Sequence, residues 1–98
     1  MTFIQTMEFT TTDKDKMLEV GNRWANDAIS SGTAQKGILA EDRSNPGHFV
    51  WTVFFDSADA AATNNERPET GANAEEFGAL TSDGITFREY DVVVVHGD

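Results

Sequence analysis

The segment Phe54–Leu80, FFDSADAAATNNERPETGANAEEFGAL, decides how the chain is organised. It starts at the apolar end of a strand, Phe54 and Phe55, and reaches Ser57, whose hydroxyl suits a helix N-cap. An alanine-rich helix is expected over Ala58–Asn65. Pro68 stops it, because proline lacks an amide donor and clashes one turn back. A second helical piece, from about Glu69 to Leu80, carries Phe77 and Leu80 at i and i+3. One strand thus feeds two short helices where one longer helix has room to run. Taken by itself, the break turns the chain so that Phe77 and Leu80 can reach the core.

Upstream, Phe3–Phe9 alternates with a period of two, setting Phe3, Gln5, Met7 and Phe9 on one face and Ile4, Thr6 and Glu8 on the other. TTTDKDK supplies an N-cap and acids for a first turn. Met17, Val20, Gly21, Trp24, Ala25 and Ala28 then follow at helical spacing, predicting a helix from about Asp13 to Ile29 that SSG ends. Thr33–Arg43 and HFVWTVFF flank the turn signal SNPG and read as a hairpin. Downstream, SDG turns the chain into ITFREYDVVVV, a last strand.

The order β-α-β-β-α-β is that of the ferredoxin-like α+β fold, with a four-stranded antiparallel sheet and helices on one face. The 98 residues hold one domain, with no repeat or linker inside it. Val50 and Phe54 lie on the side of their strand away from Phe49, Trp51, Val53 and Phe55, and Val92–Val95 is apolar throughout. Two helices cover only one face, so a homodimer pairing sheet to sheet is expected to cover the other.

Seventeen acidic residues against seven scattered basic ones give a formal charge of −10. That balance argues against nucleic acid and anionic membranes, both of which need clustered Lys and Arg. No run of apolar residues is long enough to span a bilayer. The start MTFIQTMEF has no basic region or cleavage site of a secretory signal, and there is no cysteine, so the cytoplasm is the expected compartment. The sequence holds no metal-binding His or Glu pair and no glycine-rich phosphate loop, so neither metal nor cofactor is expected.

In FFDSADAAATNNERPE the chain resembles the antibiotic-biosynthesis-monooxygenase-like family, small chains that pair as a dimeric α+β barrel. Phe55, Asp56, Ser57, Ala60 and Pro68 match the frame of its quinol-oxygenase branch. Asn64 and Glu69 stand where that branch has histidines. The resemblance implies a hydrophobic pocket for an aromatic or polyketide-like molecule and a cofactor-free monooxygenase, or a binding or cyclase-like protein without oxygenase activity. A structural dimer with its cleft filled by Trp24 and Phe77 is the third alternative.

Oxygenation of that kind requires a dry site, a flat aromatic clamp and hydrogen bonds to an oxyanion. The candidate ligand-binding residues are Gln5, Trp24, Trp51, Asn64, Phe77 and Tyr90. The aromatics offer walls, although each serves a small core equally well. Gln5 and Asn64 are polar groups among apolar neighbours and need partners when buried. Gln5 can serve a strand seam instead, and Asn64 or Asn65 can end the short helix. No catalytic base is assigned: His48 follows a Pro-Gly turn, and His96 lies near the end of the chain.

Overall fold

The computed structural model describes residues 2–97. The element order is β1 (Phe3–Thr10), α1 (Lys14–Ser30), β2 (Lys36–Glu41), β3 (His48–Phe55), α2 (Ala58–Asn65), α3 (Pro68–Gly78) and β4 (Thr86–Asp91). The strands form one antiparallel sheet in the order β2-β3-β1-β4, the ferredoxin-like α+β arrangement. Among the described residues no helix is long and apolar enough to cross a membrane.

Register follows from the period-two patterns. Phe3, Gln5, Met7 and Phe9 sit opposite Phe55, Val53, Trp51 and Phe49, so the apolar sets of the two central strands share one face. The helices cover that face. Asp13 caps α1 by accepting from the Lys16 amide at 3.1 Å, and Ser57 caps α2 by accepting from the Ala60 amide at 3.0 Å. The β2–β3 turn closes on Gly47 at φ +94, a conformation that glycine adopts without a Cβ clash.

The core is divided. A larger cluster joins Met7, Phe9, Phe49 and Trp51 of the sheet to Met17, Val20 and Trp24 of α1 and Phe77 of α3. A smaller cluster joins Phe3 and Phe55 to three alanines, Ala28, Ala34 and Ala61. Aromatic edges lock the larger cluster: Phe9 and Phe77 meet at 4.9 Å and 85°, Trp24 and Trp51 at 5.4 Å and 83°.

Several boundaries differ from the sequence expectations, and three of the differences have a plain physical cause. The first hairpin strand begins at Lys36 rather than Thr33, because Ala34 is drawn into the smaller cluster while Gln35 still donates to the Phe54 carbonyl at 2.8 Å. The second helical piece starts at Pro68 itself, where a missing amide costs nothing at the first helical position. The last strand ends at Asp91, opposite Phe3 at the start of β1, and past it Val92 still donates to the Thr2 carbonyl at 2.8 Å. Val93, Val94 and Val95 are left exposed.

The other face of the sheet carries no helix among the described residues. Cross-strand partners place Ile4 beside Phe54 and Tyr90, and Ile38 beside Thr52. Charges cross this apolar patch: Arg88 pairs with Glu8 at 3.2 Å, His48 lies 3.7 Å from Glu8, and Lys36 Nζ lies 5.8 Å from the Phe54 ring.

Candidate functional site

The break after α2 is built around one carbonyl. The Asn64 oxygen accepts from the Arg67 amide at 3.2 Å and from Thr70 Oγ1 at 2.7 Å, so it stitches the end of α2 to the first turn of α3. Proline at the head of α3 forces the turn, and the threonine hydroxyl fixes its angle. Asn64 is held at the elbow between the two helices and is 5% exposed.

Beneath the elbow lies a cavity of about 310 Å³ between helices and sheet. Gln5 and Met7 of β1, Trp51 and Val53 of β3, Trp24 and Ala28 of α1, and Asn64 and Thr70 of the elbow form most of its wall. It exists because facing positions are small. Ala25, Ala28, Ala34, Gly37, Gly71 and Ala74 all border it, where leucine-sized side chains would fill the space. The cavity separates the two halves of the core, with Met7, Trp24 and Trp51 on one side and Ala28, Ala34 and Phe55 on the other.

The wall is apolar apart from a few amide and hydroxyl groups. Gln5 is 9% exposed, and its side-chain amide pairs with no group among the described residues. Trp51 lies over Gly37, with Nε1 3.1 Å from where a Cβ would stand. No histidine, carboxylate or tyrosine lines the space among the described residues. Lys36 is the one cationic residue there, and its ammonium lies on the opposite face, over Phe54. The arrangement can hold a flat molecule against the edge-to-face Trp24–Trp51 pair and hydrogen-bond an oxygen or nitrogen at its edge; it offers no proton acceptor stronger than an amide.

Of the six residues singled out from the sequence, four meet at this cavity: Gln5, Trp24, Trp51 and Asn64. Phe77 lies beneath it, fully buried and 5.5 Å from both Trp24 and Trp51, as a support for the two indoles. Tyr90 is on the other face of the sheet, opposite Ile4 and 45% exposed. Its parity along β4 decides this, because Met7 pairs with Phe87 and so places Phe87 on the cavity side. His48 faces away from the cavity, with Nδ1 3.2 Å from Thr10 Oγ1. Thr70 and Phe87 were not picked out from the sequence; Asn65, weighed beside Asn64 at the end of the short helix, also borders the space. Thr70 carried a signal, a hydroxyl two residues after a helix-starting proline. No three or more His, Cys, Asp or Glu residues gather to hold a metal among the described residues.

No family model matches the sequence, and no curated protein does. Solved structures do. A mutant of SnoaB, a cofactor-independent oxygenase from Streptomyces nogalater, superposes with a TM-score of 0.88 at 14% identity, covering 98% of this chain and 97% of that one. A Deinococcus radiodurans structure bearing the antibiotic biosynthesis monooxygenase name gives 0.82 at 17%, covering 98% and 97%. Another with that name, from Nitrosomonas europaea, gives 0.82 at 13%, covering 97% and 93%. Along nearly its whole length, the chain has the fold of the antibiotic biosynthesis monooxygenase structures.

Proposed function

We propose that the chain binds a small, flat, largely apolar molecule of aromatic or polyketide type in the cavity under the α2–α3 elbow. The observation that carries this is the cavity of about 310 Å³, walled by Trp24 and Trp51 and bearing the amides of Gln5 and Asn64. That volume is at the lower end of ordinary ligand pockets, about 300–1,000 Å³, and suits a molecule of two or three fused rings. Cofactor-free oxygenation of that molecule is the chemistry the fold supports, since SnoaB shares it. A hydroquinone that gives its proton to solvent and enters as the anion would be held at its oxyanion by amide donors while it passes electrons to dioxygen.

A second reading is favoured by the lining: without a histidine or carboxylate on the wall, the protein binds and shields its ligand without oxidising it. In both readings two copies pair through the outer sheet face, burying Ile4, Ile38, Phe54 and Tyr90. Titrating naphthohydroquinones while following Trp24 and Trp51 fluorescence tests binding, and oxygen uptake with the same compounds separates the two readings. Unchanged fluorescence at millimolar ligand overturns both.

A further inference from the structure

Three buried polar atoms crowd the outer end of the elbow without an aligned hydrogen bond: Asn64 Oδ1, Arg67 Nη1 and Asp27 Oδ2. They form one cluster. Arg67 Nη2 lies 3.2 Å from Asp27 Oδ2 and bonds Asp27 Oδ1 at 3.3 Å, so the Oδ2 contact is one of charge while Oδ1 takes the hydrogen bond. Asn64 Oδ1 and Arg67 Nη1 both press on the space above Gly32 where a Cβ would sit. Arg67 also lies at the C-terminal end of α1, which has no basic residue in its own last turn, so its charge complements the helix dipole from another element.

We infer that Arg67, clamped by Asp27, is a positioning residue that turns the Asn64 side-chain amide so that its N–H₂ faces the cavity. The reason is the donor inventory. A guanidinium only donates, so the amide edge turned toward Nη1 has to be the carbonyl, which leaves the nitrogen for the cavity. The Ala28 carbonyl is the competing acceptor nearby, but it already takes the Ala34 amide at 3.2 Å. Stranding a buried charged donor costs more than leaving a neutral carbonyl with one partner.

The consequence deepens the binding reading above and rests on it. The cavity prefers a ligand that presents a carbonyl or phenolate oxygen to Asn64 over one of the same shape that does not. Arg67 sets that preference without touching the ligand, because it does not line the cavity.

1-Tetralone and its hydrocarbon analogue tetralin, which differ by one carbonyl, test this through quenching of tryptophan fluorescence. The wild-type protein is expected to bind tetralone roughly three- to tenfold more tightly than tetralin, the range of one net hydrogen bond. Arg67→Gln and Asp27→Asn are expected to erase that ratio while tetralin affinity holds, and Arg67→Lys to restore part of it. An unchanged ratio in folded Arg67→Gln overturns the inference.

The Asn64 side-chain N–H₂ signals in the ¹⁵N spectrum give a second measure that needs no ligand. They are expected to move in Asp27→Asn and Arg67→Lys, the milder changes, even where Arg67→Gln fails to fold; signals unmoved in both overturn the positioning role. If neither compound binds the wild type, the binding reading falls, while those amide signals still decide whether Arg67 orients Asn64.

Discussion

Replacing Gly32 with alanine puts a methyl carbon 2.6 Å from Arg67 Nη1, 2.7 Å from the Ala28 carbonyl oxygen and closer still to Asn64 Oδ1. Comfortable contacts begin near 3.4 Å, so something has to give. The Ala28 oxygen belongs to the last turn of α1 and is tied to the Ala34 amide, which leaves Asn64 and Arg67 to move. Overpacking of this kind costs about 1–3 kcal/mol, and displacing Arg67 adds the loss of its contact with Asp27. Fewer unfolded conformations offset about 0.4–1 kcal/mol. A net loss of about 1.5–3 kcal/mol should lower Tm by roughly 6–24 °C in a domain of this size. Circular dichroism melts of Gly32→Ala beside Gly78→Ala make the measurement, since a Cβ on Gly78 meets nothing within 4 Å. A Gly32→Ala melt at or above the wild-type temperature would refute the packing of the elbow on this turn.

Gly71→Ala should separate stability from binding. Its Cβ meets nothing within 4 Å inside α3, so the helix gains about 0.5–1 kcal/mol by urea melt, while tetralin affinity drops because the methyl enters the cavity. Phe54→Asp places a charge in the middle of the outer sheet face and should convert a dimer to a monomer at micromolar concentration in analytical ultracentrifugation; an unchanged mass removes that face as the interface. Glu41 is held below its ordinary carboxylate pKa, first by the Lys14 ammonium at 2.9 Å and then by the Gly47 amide at 3.0 Å. A lowered folded pKa means its contribution is complete above the unfolded value of 4.5 and is lost as pH falls through the folded one. Glu41→Gln should therefore flatten the acid side of the stability profile, slightly, because the pair is exposed.

The strands with clean alternation were legible in the sequence, and β3 runs from His48 to Phe55 just as HFVWTVFF reads. The helix break was legible too, because proline acts through its own covalent structure and α2 ends where that predicts. What the sequence concealed was tertiary. Tyr90 and Phe87 are equally plausible aromatics on β4, and only the β1–β4 register separates them. The Arg67–Asp27 pair spans 40 positions, and in sequence each residue is one more surface charge. The four valines from Val92 read as strand on propensity, yet the β1–β4 ladder stops where Asp91 meets Phe3, and past it Val92 bonds the Thr2 carbonyl while Val93–Val95 stand exposed. The cavity had the faintest signal, alanines and glycines scattered over facing elements, which reads as ordinary composition until the elements are brought together.

The division of the core into a large aromatic half and a small alanine-rich half bears on how the molecule opens. The alanine half, with Phe3, Phe55 and α2, has little apolar area to hold it closed, so its amides should exchange with solvent well before those around Phe77. A ligand seated between Trp24 and Ala28 would touch both halves and act as the missing segment of core. Binding should then slow exchange in α2 more than anywhere else. Selection for a different ligand can work on Ala28 and Ala34, which border the cavity, while the aromatic half carries the fold, which leaves room for specificity to drift without endangering stability.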